Sequence, residues 1–459
     1  MTQWANPDDI RMAFSLLMSE MYQTEVPLYS QLVDLVADIN QQSLLTDTHT
    51  REILEKTGEL PRLNLERHGA IRVGTAEELF NIRRVFQVMG MFPVGYYDLT
   101  PAGVPVHSTV FRAIDPNSLN HCPFRIFTSL LRLELIDNEE LRQIAQDTLA
   151  KRNIFTPRCL ELTAKAEQQG GLTSEEAKEF VREALETFRW HKEAPVSKAL
   201  YQQLHNQHRL IADVVAFKGP HINHLTPRTL DIDKVQEQMK VHGMTPKAVI
   251  EGPPPRQCPI LLRQTSFKAL QEQVSFVGDN DTEGSHTARF GEIEQRGVAL
   301  TEKGRQLYDE LLQKTRATLG GSPTEANQER YKQILAETFA AFPDTYAELR
   351  AQGLAYFYYS AEKEVSAPVS MDDVESLIQQ GIISFEPIVY EDFLPVSAAG
   401  IFQSNLGDNA QKHYDENSNR AEFEKALGAE VTNEFKLYQA AQQHSIEDCL
   451  ATLNRKFSS

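Results

Sequence analysis

Thirteen histidines are spread along the 459-residue chain, and three short stretches set them beside arginine or glutamate at spacings that can do chemistry. The first is ERHGAIRVGT, residues 66–75. As an extended strand it turns His68, Ala70 and Arg72 to one face, with the histidine and arginine ~13 Å apart along the strand. The alanine between them leaves open space. A metal at His68 and the Arg72 guanidinium could then grip two ends of one small acid, because a guanidinium matches a carboxylate bidentately. An ordinary surface strand with a salt-bridging arginine has the same pattern.

The second stretch is GPHINHLTPRTLDID, residues 219–233. His221 and His224 are an odd number of residues apart, so an extended chain points them to opposite faces. Only a helix would bring them together, and Pro220 and Pro227 leave little room for one. One histidine can enter a shared site, and spacing does not choose which. The third stretch is SHTARFGEIEQRG, residues 285–297. If it is one regular strand, His286 and Glu292 lie ~20 Å apart, too far to share an ion. Glu292 and Glu294 are ~7 Å apart on one face, so either can be a ligand with the other behind it. Glycines at 291 and 297 and the scarcity of nearby lysines argue against a plain solvated edge strand. Two histidines and one carboxylate form a facial triad that leaves positions open on iron(II) for a chelating substrate and dioxygen. Zinc and manganese accept the same donors. A faint echo is also present: His68 precedes Arg72 by four residues, and His224 precedes Arg228 by four.

These stretches need elements to position them. A helix starts early, with Asn6 as cap, Pro7 at the first helical position and Asp8 and Asp9 at its positive end. A second follows over residues 27–44. From about residue 66 short strand-like runs take over, and residues 137–208 return to helix, with Thr173 or Ser174 as one cap. Strands resume with ADVVAF, residues 212–217, read as a buried strand that Gly219-Pro220 breaks. The order departs from the regular alternation of a Rossmann fold or a (β/α)8 barrel. It predicts one elaborated catalytic unit over 1–459, with a metal-binding β core formed by 66–136 and 209–323. Helical insertions occupy 137–208 and 324–365, a pocket-closing strand and loop segment 366–419, and closing helices 420–459.

Bulk properties limit the partners. Lys plus Arg number 46 against 64 Asp plus Glu, a net charge of −18. Such a surface repels phosphate backbones and anionic membranes, so nucleic acid and membrane are not expected partners. An anionic substrate would need local arginines against that field. Cys122, Cys159, Cys258 and Cys449 are widely scattered without a C-x-x-C pair, which fits reduced thiols rather than a zinc ribbon or a disulfide scaffold. The N-terminal run is short and amphipathic without a basic flank, and no run approaches 18 apolar residues. A cytoplasmic protein is expected.

Four segments, ERHGAIRVGT, HINHLTPRTLDID, FGEIEQRGVALT and YEDFLPVSAAGIFQSNL, together resemble the 2-oxoadipate dioxygenase/decarboxylase family, also called hydroxyglutarate synthases. The resemblance runs over essentially the whole chain. It implies an α+β fold: a vicinal oxygen chelate-like mixed β-sheet core with helical insertions and N- and C-terminal helices. By position it implies that His68, His224 and Glu292 bind the metal, which leaves His221 on the other face. Arg72 is implied to hold the distal carboxylate of the substrate, Val396 and Ser397 to line its pocket, and Arg72 and Ser397 to serve catalysis. The implied cofactor is Fe(II). The implied activity converts the 2-oxo dicarboxylic acid 2-oxoadipate and O2 to D-2-hydroxyglutarate and CO2 in lysine catabolism. Another metal-dependent enzyme of the same scaffold (an isomerase, lyase or ring-cleaving dioxygenase) or a non-catalytic sensor of metal or 2-oxo acid are the competing readings.

Overall fold

The computed structural model describes residues 4–268, 271–278, 282–287, 289–321, 323–394 and 416–457. Strand β1, Arg67–Val73, is followed by the helix Ala76–Val88 and then by β2, Phe92–Asp98, β3, Val106–Arg112, and β4, Phe124–Leu131. Thr75 caps that helix by accepting from the Glu78 amide, and Glu77 and Glu78 lie at its positive end. Leu79, Ile82, Val85 and Phe86 form its buried stripe. β1 and β4 pair in parallel, while β2, β3 and β4 form an antiparallel meander.

β5, Glu193–Ala194, belongs to a separate small sheet with β8, Gln271–Phe276, and β9, Glu283–Thr287. β6, Leu225–Pro227, joins the main sheet, whose order is β2-β3-β4-β1-β6. β7, Leu262–Ser266, pairs antiparallel with β10, Glu292–Arg296. A parallel bridge between Arg228 and Glu294, with the Thr229 amide donating to the Glu294 carbonyl at 2.7 Å, sets β10 beside the end of β6. β6, the helix Ile232–Met239, β7 and β10 thus partly repeat β1, its helix, β3 and β4. β11, Phe357–Ala361, and β12, Ile383–Pro387, make a hairpin. This is the α+β fold that the resemblance implies, a mixed β-sheet core surrounded by helices, with further helices at both ends.

Register decides what the main sheet presents. His68 lies opposite Arg125 on one side and Thr226 on the other, and Arg228 lies opposite Glu294. Alternation then gives one face to His68, Ala70, Arg72, His224, Thr226, Arg228, Glu292, Glu294 and Arg296. The other face carries Ile71, Val73, Phe124 and Ile126, which share a buried cluster with Phe14 and Met18 of the first helix and with Ile82 and Phe86.

Two expectations fail locally. ADVVAF is not a strand, because residues Arg209–Val215 form a helix capped by His208. Leu210 through Val215 are all buried, so that helix has no polar side to reveal a 3.6-residue period. SHTARFGEIEQRG is not one strand either: β9 and β10 lie in different sheets. At the break, a Cβ on Gly291 would sit 2.1 Å from Phe267 Cε1. Beyond β10, a Cβ on Gly297 would sit 2.1 Å from the Pro259 carbonyl carbon. Close approach explains both glycines. Asn6 and Thr173 cap their helices as expected, and no helix among the described residues is long and apolar enough to cross a membrane.

Candidate metal centre

His68, His224 and Glu292 come together from β1, the lead-in to β6 and the start of β10. Each offers one ligand atom, and those atoms all lie within 4.8 Å of one another. All three side chains are fully buried. His68 Nε2 is 3.1 Å from Glu292 Oε1, and His224 Nε2 is 3.6 Å from the same oxygen. Thr226 Oγ1 and Gln264 Nε2 donate to Glu292 Oε1 at 3.0 and 3.1 Å.

The rest of the donor set lacks hydrogen bonds among the described residues: there, Glu292 Oε2 and both ring nitrogens of His224 are buried and make none. Leaving three such atoms unpaired costs on the order of 1–3 kcal/mol each, so the arrangement needs another group to justify it. A divalent cation fits: two imidazoles and one carboxylate, close-set and aimed at one point, are the donors of a facial triad. Burial pulls His224 down to about 4 despite the opposing Glu292 carboxylate. Its ring is therefore neutral at neutral pH, as a ligand must be.

Behind the cluster stands Glu294. Its Oε2 lies 2.9 Å from His68 Nδ1. Burial alone would lower the His68 pKa, but Glu294 and Glu292 override it and hold it above its ordinary value. Burial would raise Glu294, but Arg296 and His68 outweigh it and hold that carboxyl at about 2. Of the two carboxylates that strand parity left open, Glu292 groups with both histidines and Glu294 stands behind His68. A carboxylate on the far nitrogen of a ligand histidine fixes its tautomer and raises its basicity.

The two other histidines stay apart. His221 Nε2 is 3.2 Å from Asp213 Oδ1, and His286 Nε2 is 2.8 Å from the same oxygen. Arg72 reaches this group too, with Nη1 2.8 Å from both Asp213 Oδ2 and Asn223 Oδ1. It remains close enough to help keep His224 neutral. Val396 and Ser397 lie outside the described residues.

Several residues that serve the centre have no signal in the single sequence. Thr226 shares parity with His224, and Arg296 with Glu294, so both are recoverable once the strands are known. Gln264 is not, because nothing in the sequence sets β7 against β10. Phe393 is not either: its ring packs edge-on against His68 with centroids 4.7 Å apart.

Comparison with known proteins places the chain in a family. Residues 14–405 fit the family model described as 2-oxoadipate dioxygenase/decarboxylase. The chain belongs to that family. A 2-oxoadipate dioxygenase/decarboxylase of Pseudomonas putida is 61% identical over 98% of both chains. One from Escherichia coli is 57% identical over 96% of this chain and 98% of its own. Among solved structures, hydroxyglutarate synthase from Pseudomonas putida in complex with 2-oxoadipate superposes with a TM-score of 0.93 at 59% identity. That match covers 99% of this chain and 100% of the other. In this member of the family, the sheet face described above gathers the buried triad.

Proposed function

We propose that the protein is an Fe(II)-dependent dioxygenase that decarboxylates 2-oxoadipate with O2 to D-2-hydroxyglutarate and CO2, acting in lysine breakdown in the cytoplasm. The observation that carries this reading is the buried triad with its unpaired donor atoms, in a chain closely related to enzymes of that name. His68, His224 and Glu292 would hold the ion. Iron(II) in such a site supplies redox reactivity toward O2 and open positions for the two oxygens of a 2-oxo acid.

The chain's own residues do the rest. Thr226 and Gln264 hold Glu292 by Oε1, which leaves Oε2 for the ion. Arg72, four residues beyond His68 on the same face, would take the distal carboxylate and so set which carbon of the substrate faces the reactive centre. Such positioning supplies a large part of a rate enhancement. Asp213 and Asn223 hold the Arg72 guanidinium at its distance from the triad. Val396 and Ser397 complete the pocket in this reading. Full burial of the triad keeps bulk water away from the reacting carbon.

The test is anaerobic loading with ferrous iron followed by a panel of 2-oxo acids with product identification. O2 uptake matched by CO2 release and hydroxyglutarate formation from 2-oxoadipate is the expected result. Turnover that does not depend on O2, or binding of 2-oxo acids with no turnover, would overturn the reading.

A further inference from the structure

Arg296 is fully buried in its side chain and touches two groups that lie against His68. Its Nε and Nη2 each donate to one oxygen of Glu294 at 2.9 Å, a bidentate fork. Nη1 donates to the Tyr390 carbonyl at 2.7 Å and to the Asp392 carbonyl at 3.0 Å. The guanidinium also lies over the Phe393 ring, 5.0 Å from its centroid. Both groups it grips bear on His68: Glu294 on Nδ1, and the Phe393 ring on its edge.

We infer that Arg296 is a positioning residue that sets the orientation of the metal-binding His68 from two sides at once, through the Glu294 carboxylate and through the 390–393 segment. The inference rests on the metal-centre reading above. A carboxylate alone behind His68 could swing, and a phenyl ring alone could slide. One rigid fork that ties the carboxylate to the Tyr390 and Asp392 carbonyls removes both freedoms, which the flexible point charge of a lysine could not do. Asp392 and Glu391 are themselves fixed, Asp392 by Arg112 at 2.7 and 3.0 Å and Glu391 by Arg62 at 3.0 Å. The segment therefore offers Arg296 a firm anchor.

The test titrates the metal-free full chain with Co(II) by calorimetry and records the visible d–d bands of the loaded protein. Arg296→Met should weaken Co(II) binding about 10- to 100-fold, the range for partners of a ligand histidine, and shift those bands. Glu294→Gln should weaken it in the same direction but by less, because it removes one of the two routes, and the double variant should be no weaker than Arg296→Met alone, which already loosens both. Arg296→Lys should recover part of the affinity. Arg11→Met is the comparator: Arg11 is equally buried and binds the carbonyls of Cys122, Met89 and Ser118, away from His68. It should lower stability and leave Co(II) affinity unchanged. Co(II) binding within twofold of wild type and unshifted bands in Arg296→Met would overturn the inference; Glu294→Gln decides in the same way if that variant does not fold. Equal weakening by Arg11→Met would also overturn it, as general loosening of the core. A wild-type chain that binds no Co(II) would be a separate result, removing the metal centre itself and with it the positioning role.

Discussion

Two strands of this molecule share a spacing and little else. β1 runs from His68 to Arg72, and the stretch through β6 runs from His224 to Arg228. They pair antiparallel, with His68 opposite Thr226, so both histidines fall in the middle of the ribbon and the arginines at opposite ends. Arg228 is 4% exposed and lies between Glu59 at 2.7 Å and Glu66 at 3.1 Å. It belongs to a buried lattice in which Arg62 and Arg125 also bind Glu66. Arg72 is 11% exposed and meets Asp213, which already has His221 and His286. Equal spacing gives equal faces; the partners at each end differ, so one arginine is committed to a buried ion-pair lattice and the other sits near His224 of the buried triad.

The largest difference should be between histidines. His224→Ala should reduce metal affinity by on the order of 100-fold or more, beyond the range for mere partners of a ligand, while His221→Ala should leave a metallated protein. Metal content after loading and desalting reads both, and equal loss in the two variants would break the assignment. Next comes stability. Arg228→Met takes the cation from buried Glu59, while Glu66 keeps Arg62 and Arg125, and breaking that buried pair should cost about 3–5 kcal/mol in denaturant unfolding. Arg72→Met should cost only about 1–2 kcal/mol, because Asp213 keeps both histidines. A larger loss from Arg72→Met than from Arg228→Met would invert the comparison. In activity the order reverses: Arg72→Met should raise KM for dicarboxylic 2-oxo acids about 10- to 100-fold, the loss of one charge-assisted contact. It should spare monocarboxylic ones by comparison, and a uniform effect on both classes would remove Arg72 from substrate recognition.

How far the sequence reaches follows from the same strands. Parity on a strand is a local property, so it set His68 with Arg72, separated His221 from His224 and joined Glu292 with Glu294 before any fold was known. It could not choose between members of a pair, because that depends on which strand lies alongside. β10 meets β6 through one bridge, and this nonlocal contact is what turns Glu292 toward His224. Composition misled where burial is complete: the helix Arg209–Val215 reads as a strand because it has no wet side, yet it carries Asp213, the partner of Arg72. Family resemblance supplied the ligand choice, and the register of β1, β6 and β10 brings those three residues together.

The smallest effect separates the two histidines by proton. His224 is held at about 4 by burial, so a metal displaces no proton from it until the pH approaches that value. His68 is raised above 6.5 by Glu294 and Glu292, so below its pKa a metal must displace one proton. Apparent affinity should therefore fall about tenfold per pH unit as the pH drops through the His68 pKa, the slope of a single competing proton. It should steepen to two protons only near pH 4. Calorimetry in buffers of different ionisation enthalpy counts those protons directly. Two protons released between pH 6.5 and 5 would mean that both histidines titrate alike and that the Glu294 contact does nothing to distinguish them. Glu294→Gln sharpens the point: without that carboxylate behind it, His68 should titrate at lower pH, and the fall in affinity should begin later as acid is added.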